Sequence, residues 1–206
     1  IPAHTLPSAR GHGEPLTGRL NPASGANFIA TLSGPPDKHY LLASDFGYGF
    51  VTKLEEFITK NKAGKQLLTV PNGSTPLPPV AVTNIETDMI VAITTAGYLL
   101  SFPVTELPIL ARGKGNKIIG VPSAKLKNRE EFVSVLSVVP QGVPVTLHCG
   151  QRHLTLRPSD LELYQGARGR RGRKLPRGFQ RVDIIEYSIE EDVVCDEKDS
   201  TDSENC

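Results

Sequence analysis

The chain has 206 residues, with 17 Pro, 19 Gly and no Trp. This composition favours many turns over long helices, and no apolar run approaches the roughly 18 to 20 residues that a membrane-spanning helix needs. The three cysteines, Cys149, Cys195 and Cys206, are odd in number and widely spaced, which excludes a disulfide framework and is typical of a reducing cytosol.

The formal net charge of +1 conceals two oppositely charged parts. Residues 190–206 contain eight acidic residues and only Lys198, a local charge of −7, so residues 1–189 carry 22 basic and 14 acidic side chains, a charge of +8. The basic part is a candidate polyanion binder. The acidic tail, 190–206, is predicted to be disordered, since it cannot bury enough apolar surface to fold. Two interpretations of the tail stay open: it competes for the basic surface, or it only keeps the chain in solution.

Turns that combine glycine with basic residues recur along the chain. Their leading residues are Arg10, Lys62, Arg112 and Arg168, at steps of 52, 50 and 56 residues. Self-similarity at this period indicates stacked or radially arranged supersecondary units. We therefore interpret residues 1–9 as the end of a preceding blade or a linker, and 10–58, 62–110 and 112–163 as three blades. Residues 168–189 are a basic segment with a closing strand, and 190–206 are the acidic tail.

Each unit contains short runs of β-branched and aliphatic residues and ends in a predicted hairpin. The hairpin glycines, Gly47, Gly97 and Gly150, are 50 and 53 residues apart. Short helical turns are expected after each hairpin. The expected strands are 28–32, 40–44, 48–53, 67–70, 80–82, 89–94, 98–102, 117–121, 132–139, 143–148, 152–156 and 181–187. The sequence thus predicts an all-β, propeller-like array of four-stranded antiparallel blades that forms an open or partial ring.

The strongest chemical signal is the segment 168–181, which holds seven basic residues and no acidic one in fourteen positions. Glycines let backbone N–H groups approach phosphates, and arginine binds phosphate oxygens in a bidentate manner. The alternative is a solvated basic loop without a ligand. Because a propeller places equivalent turns around one rim, we predict that duplex DNA is bound there. The predicted DNA-binding residues are Arg10, Lys62, Lys65, Arg112, Lys114, Lys117, Arg168, Arg170, Arg171, Arg173, Lys174 and Arg177.

No catalytic constellation is found in the sequence. The spacing of His148, Cys149 and His153 fits no usual zinc pattern, and there is no phosphate loop or dinucleotide-binding glycine pattern. Glu130 and Glu131 are interpreted as an exposed acidic pair. We therefore predict no catalytic residue, no metal site and no cofactor within this chain.

Several motifs, taken in order, resemble the C-terminal domain of the A subunit of bacterial topoisomerase IV, a type IIA topoisomerase related to gyrase. The resemblance covers about residues 5–187. Its motifs are Asp45-Phe46-Gly47-Tyr48-Gly49-Phe50-Val51, Asn61-Lys62-Ala63-Gly64-Lys65, Phe102-Pro103-Val104 through Leu107-Pro108, Arg112-Gly113-Lys114-Gly115-Asn116-Lys117-Ile118-Ile119 and Arg168-Gly169-Arg170-Arg171-Gly172.

The resemblance implies a β-pinwheel, a propeller variant whose blades exchange strands, that binds and bends DNA on its basic rim. The implied partners are an A-subunit dimer and an ATPase B subunit, with ATP and magnesium used elsewhere in the full enzyme. No membrane integration and a bacterial, cytoplasmic, nucleoid-associated location are implied as well. The gyrase wrapping motif, Gln-Arg-Arg-Gly-Gly-Lys-Gly, is absent, and Arg168–Lys174 only approximates it. Decatenation and supercoil relaxation are therefore the expected activities of the whole enzyme.

Two other functions are weighed against DNA binding. The first is a propeller-type protein-interaction module whose positive turns are merely solvated. The second is an RNA-binding protein that uses Arg168–Arg181 as a disordered Arg/Gly segment.

Overall fold

The structure is a computed structural model, and it describes Pro7 and residues 11–188. The predicted acidic tail, Arg10 and nearly all of the segment 1–9 lie outside the described residues. The described strands are β1 (His39–Ser44), β2 (Tyr48–Lys53), β3 (Val80–Val82), β4 (Met89–Thr94), β5 (Tyr98–Pro103), β6 (Asn116–Lys117), β7 (Val133–Val139), β8 (Val145–Cys149), β9 (Arg152–Leu156), β10 (Arg173–Lys174) and β11 (Ile184–Tyr187).

Helical structure in the described chain is confined to short pieces. They are α1 (Leu16–Arg19), α2 (Ser123–Lys127), α3 (Pro158–Glu162) and two 3-10 turns, Leu54–Phe57 and Val104–Glu106. The 3-10 turns and α3 directly follow the three hairpins, as the sequence predicts. None of the helices in this part of the chain is long and apolar enough to cross a membrane.

The strands form three antiparallel sheets, each of which is one blade. Sheet I has the strand order β3-β1-β2-β6, sheet II has β10-β5-β4-β7, and sheet III has β11-β8-β9. The hairpins β1–β2, β4–β5 and β8–β9 provide the paired strands around which these sheets are built. Their turn glycines have φ values of 77°, 77° and 60°, the left-handed conformation that such short hairpin loops require.

The sheets do not coincide with the sequence units. Sheet I combines the first hairpin with β3 of the second unit and β6 of the third, and sheet II combines the second hairpin with β7 and β10 from later segments. This exchange of strands confirms the pinwheel arrangement. Sheet III has three strands in the described chain, one fewer than the four expected, because β9 has no neighbour on its outer side there.

Strand β4 lies in the middle of the hydrophobic core. All six of its residues are buried, and alternate side chains point to opposite faces because a strand repeats every two residues. Ile90 and Ala92 belong to the cluster shared with sheet I, whereas Val91 and Ile93 belong to the cluster shared with sheet III. Sheet II is therefore packed between the other two sheets, and the two core layers fix the order of the blades.

Three predicted strands differ from the structure. Phe28–Leu32 was expected to be a strand but is irregular and largely exposed, with Phe28 and Ile29 both 53% exposed. The run 67–70 forms only an isolated parallel bridge between Leu68 and Gly113. In the run 117–121, only Lys117 lies in a strand. The apolar residues of the runs 67–70 and 117–121 pack in the core from irregular chain, which a short-range pattern cannot distinguish from a strand.

Because β4 is buried, we expect the truncation of one of its side chains to destabilise the fold. Replacing Ile93, which is fully buried, by Ala should lower the free energy of unfolding by about 2 to 5 kcal/mol, because it removes packed methyl groups and leaves a cavity. Ile184→Ala on β11, where the side chain is 54% exposed, is the matched control and should cost far less. Urea unfolding midpoints at unchanged slope measure both, and equal losses would contradict the assigned core.

Candidate nucleic-acid interface

Two glycine-rich basic turns, 112–117 and 168–174, dock on their neighbouring hairpins in the same way. Each ends in a two-residue strand: β6 pairs with Tyr48 and Gly49, and β10 pairs with Tyr98 and Leu99. Both pairings therefore lie at the start of the second hairpin strand, directly after the hairpin turn. The recurrence of basic turns in the sequence corresponds here to a recurrence of position in the fold.

One glycine in each turn makes this docking possible. Gly115 and Gly172 have φ values of 74° and 78°, and a Cβ atom on either would overlap a backbone carbonyl oxygen, that of Gly49 or Leu99. Any side chain would therefore push the turn off the hairpin and would also strain its own backbone. These two glycines are required both by conformation and by close approach.

A buried apolar residue after each turn anchors it to the hairpin. The N–H of Ile118 donates to the carbonyl oxygen of Gly47 at 2.7 Å, and the N–H of Leu175 donates to that of Gly97 at 2.8 Å. Ile118 is 1% exposed and Leu175 is 3% exposed. Each turn is thus fixed by a backbone hydrogen bond on one side and by the hydrophobic core on the other.

The residue before each of these docking glycines is a cation stacked on a tyrosine. The Lys114 Nζ lies 3.7 Å from the centre of the Tyr48 ring, and the Arg171 Cζ lies 3.9 Å from the centre of the Tyr98 ring. A cation over an aromatic face is attracted by the ring quadrupole. The repeated Gly47-Tyr48 and Gly97-Tyr98 dipeptides are the sequence signal for these tyrosines, which were not among the predicted site residues.

Most of the predicted DNA-binding residues are exposed. The exposed ones are Lys62, Lys65, Arg112, Lys114, Arg170, Arg173, Lys174 and Arg177, and the half-buried ones are Lys117, Arg168 and Arg171. The structure brings Lys117 and Arg168 together, since the Arg168 guanidinium donates to the Lys117 carbonyl oxygen at 2.9 Å. It therefore joins the third and fourth basic turns at one contact.

Two of these side chains are paired with carboxylates. Lys65 Nζ lies 3.0 Å from Glu56 Oε2, and an Arg171 nitrogen lies 2.7 Å from Glu131 Oε2. The other described members of the set make no ion pair with a carboxylate of the described chain. The 62–65 turn is also less enclosed, because space around Gly64 is open. No strand of the described chain pairs with this turn, and Lys65 is held by Glu56 instead.

The residue Glu131, interpreted from the sequence as part of an exposed pair, is in fact buried. It is 1% exposed and accepts hydrogen bonds from Thr94 Oγ1 at 3.0 Å and from Arg171 at 2.7 Å. Burial by itself would raise the pKa of Glu131, but the Arg171 and Thr94 hydrogen bonds, with the charges of Arg171 and Lys125, lower it overall. Its position among polar residues shortly after α2 gave no signal of burial.

A second buried carboxylate, Asp45, lies in the first hairpin turn. It accepts hydrogen bonds from the hydroxyls of Ser74 and Thr75 and lies 2.6 Å from an Arg129 nitrogen. Burial would raise the pKa of Asp45, and these hydrogen bonds outweigh it and lower the pKa. Since Arg129 belongs to the loop before β7 of sheet II, this ion pair joins sheets I and II at their hairpin ends.

The spacing of His148, Cys149 and His153 in the sequence fits no usual zinc pattern. His148 and His153 face each other across β8 and β9 with ring centres 6.5 Å apart, and His148 Nε2 lies 2.8 Å from Glu186 Oε2. Burial, with the charge of Asp183, raises the pKa of the Cys149 thiol, which makes the thiolate scarce. Within Pro7 and residues 11–188, no group of three or more His, Cys, Asp or Glu could hold a metal ion.

The fold and the repeated turns define a class of protein: β-pinwheel domains with glycine-rich basic turns at the hairpin ends of successive blades. The family described as DNA gyrase C-terminal domain, beta-propeller, matches residues 38–75 and 88–138. The structure of the E. coli ParC C-terminal domain is similar with a TM-score of 0.84 and 46% identity, over 91% of this chain and 76% of that one.

Comparison with whole proteins gives the particular family. The A subunit of DNA topoisomerase 4 from Pseudomonas aeruginosa is 55% identical over 92% of this chain, and that from Escherichia coli K12 is 47% identical over 88%. The chain belongs to the family of topoisomerase IV A subunits and corresponds to their C-terminal domain. It spans about a quarter of the length of these relatives, 25% and 24%.

The docking of the 112–117 turn can be tested at Gly115. Gly115→Ala should be strongly destabilising, because the new Cβ strikes the Gly49 backbone in addition to the strain of a left-handed residue, which costs about 1 to 2 kcal/mol. Gly142→Ala is the matched control, since Gly142 has φ of 81° with open space around it and should show the strain alone. Urea unfolding of both variants measures the difference, and similar losses would contradict close docking.

Because Asp45 and Glu131 are buried carboxylates with a lowered pKa, we expect the free energy of unfolding to decrease at acidic pH. Because the folded-state pKa of Asp45 and Glu131 lies below the ordinary values of 3.8 and 4.5, their contribution is present above those values and is lost as pH falls through the folded-state pKa. Urea midpoints measured from neutral to acidic pH should fall less steeply in Asp45→Asn than in the wild type. Glu130→Gln, at the exposed neighbour of Glu131, should keep the wild-type acid dependence, and an unchanged profile in Asp45→Asn would contradict the prediction.

Proposed function

We propose that this chain is the DNA-binding and DNA-bending domain of a topoisomerase IV A subunit. In the whole enzyme it presents a DNA segment to the ATP-dependent strand-passage core for decatenation and supercoil relaxation. Double-stranded DNA is its direct ligand. Its partners are the A-subunit dimer and the ATPase B subunit, the ATP and magnesium chemistry lies elsewhere in the enzyme, and the enzyme acts at the nucleoid in the bacterial cytoplasm.

The observation that carries this proposal is the equivalent docking of the 112–117 and 168–174 turns. Two successive blades hold a basic turn against the start of the second hairpin strand. A duplex that follows both turns meets cations from successive blades, and because the blades of a propeller are arranged radially the path is curved. The charges lie on a rigid framework, so the bend is set by the protein.

The chemistry of the exposed cations supports phosphate as the recognised group. Arg112, Lys114, Arg170, Arg173 and Lys174 are exposed and make no ion pair with a carboxylate of the described chain. Cations of this kind neutralise phosphates and release counterions, which gives affinity with little base preference and a steep dependence on salt.

The same geometry argues against the two other functions. The segment 168–175 is hydrogen bonded to its neighbours: Gly169 N–H donates to the Ile118 carbonyl oxygen at 2.8 Å, and β10 pairs with β5. An ordered, hydrogen-bonded turn does not favour the interpretation of Arg168–Arg181 as a disordered Arg/Gly segment that binds RNA. A protein-interaction function would leave unexplained why basic turns occupy the same place in successive blades.

The exposed arginines of the 168–174 turn provide the test. The double variant Arg170→Gln and Arg173→Gln should reduce the magnitude of the slope of log K against log salt by about 0.9 per lost phosphate contact, and should reduce the bend of an end-labelled duplex. Binding titrations and end-to-end energy transfer over a range of salt measure both quantities.

The control removes the same charge elsewhere. Lys53 and Arg157 lie at or directly after the ends of hairpin strands remote from the hairpin turns, as the pairings of His39 with Lys53 and of Val145 with Leu156 show. Their ion pairs with Glu55 and Asp160 are exposed and therefore weak. Lys53→Gln with Arg157→Gln should leave the slope and the bend nearly unchanged. Equal effects of the two double variants would indicate non-specific attraction, and a wild-type chain that binds DNA without salt dependence would refute the proposal.

A further inference from the structure

Lys114 and Arg171 occupy equivalent positions in successive blades. Each immediately precedes the glycine that docks on the hairpin, and each stacks on the tyrosine that follows a hairpin glycine. By position alone, both should make the same contact with a bound duplex. Their surroundings differ in one respect, which is the presence of a carboxylate.

Arg171 is held by protein groups on three sides. One terminal nitrogen donates to Glu131 Oε2 at 2.7 Å, the other lies 3.4 Å from the Gly120 carbonyl oxygen, and the guanidinium stacks on Tyr98. Its side chain is 31% exposed, whereas that of Glu131 is 1% exposed. Arg171 and Glu131 together therefore present almost no net charge to an approaching phosphate.

Breaking this pair to bind a phosphate would be unfavourable. Glu131 would lose its closest cation while remaining out of water, and an unpaired buried charge is strongly destabilising. Lys125 is the other cation near Glu131, at 3.6 Å, but its side chain is 46% exposed and the contact is longer. Thr94 supplies one hydrogen bond and no charge.

Lys114 has no such partner. Its side chain stacks on Tyr48 and makes no ion pair with any carboxylate of the described residues. Ser74 is the residue of sheet I that corresponds to Glu131 in sheet II. The Thr95 N–H donates to the carbonyl oxygen of Phe132, which follows Glu131, and the Asp45 N–H donates in the same way to that of Thr75, which follows Ser74. Ser74 is uncharged, and Asp45 is bound to Arg129.

We propose that Glu131 withdraws Arg171 from the DNA-contacting surface. Lys114 is a phosphate contact, whereas Arg171 and Glu131 are positioning residues that fix the 168–174 turn so that Arg170 and Arg173 face the duplex. This inference rests on the proposed DNA-binding function. It divides the segment 168–174, which is uniformly basic in the sequence, into contacting and positioning residues.

The test compares salt slopes for three single variants of the 206-residue chain with a labelled mixed-sequence duplex. Lys114→Gln should reduce the magnitude of the slope of log K against log salt by about 0.9, the value for one phosphate. Arg171→Gln should leave the slope unchanged and lower the urea midpoint. Glu131→Gln should increase the magnitude of the slope by up to about 0.9, because it frees the charge of Arg171.

The increased salt slope expected for Glu131→Gln distinguishes the proposal from a purely structural role of Glu131, because losing a structural residue would only weaken DNA binding. The double variant Glu131→Gln with Arg171→Gln replaces the ion pair by two neutral amides, and it should return the slope to the wild-type value; it also serves if the single Glu131 variant does not fold. A loss of slope in Arg171→Gln equal to that in Lys114→Gln would overturn the inference and leave DNA binding intact. Failure of the wild-type chain to bind the duplex with a salt-dependent affinity would overturn both.

Discussion

The contact between a turn glycine and the backbone of a neighbouring hairpin is the constraint on which this structure depends. At Gly115 and Gly172 no side chain fits, since the position of a Cβ atom is taken by the carbonyl oxygen of Gly49 or Leu99. The contact lets a two-residue strand from a later segment complete an earlier blade. It joins the blades along the chain and, in the same step, places a basic turn at each of these two hairpin ends.

Hydrophobic burial and ion pairing act at different places in this arrangement. Apolar residues on both faces of β4 hold the three sheets together, since each face packs against a different neighbour. At the hairpin ends, the buried carboxylates Asp45 and Glu131 bind arginines from adjoining segments. Buried pairs of this kind add little net stability, because desolvation offsets much of their attraction. They suit a surface whose cations must keep a defined spacing.

The candidate interface therefore consists of two kinds of cation. Some are exposed and free of carboxylate partners in the described chain, and we propose that these attract phosphates. Others, such as Arg168 and Arg171, direct their hydrogen bonds to the protein and keep the turns in place. A net charge computed from sequence counts both kinds equally. The proposed attraction to DNA depends mainly on the first kind, so the folded arrangement changes the expected importance of individual arginines.

The sequence by itself determined the repeat, the three hairpins and the basic turns, because these are short-range features: a glycine after a β-branched run, or arginines beside glycine, act through their immediate neighbours. It also identified the family through ordered motifs. Tertiary structure decided what distant residues do to one another. Phe28–Leu32 is irregular despite its strand-like composition, and Glu131 is buried despite its polar neighbours. Glu131 and Arg171 are 40 residues apart, so their pairing follows from the exchange of strands between blades, which the sequence pattern does not contain.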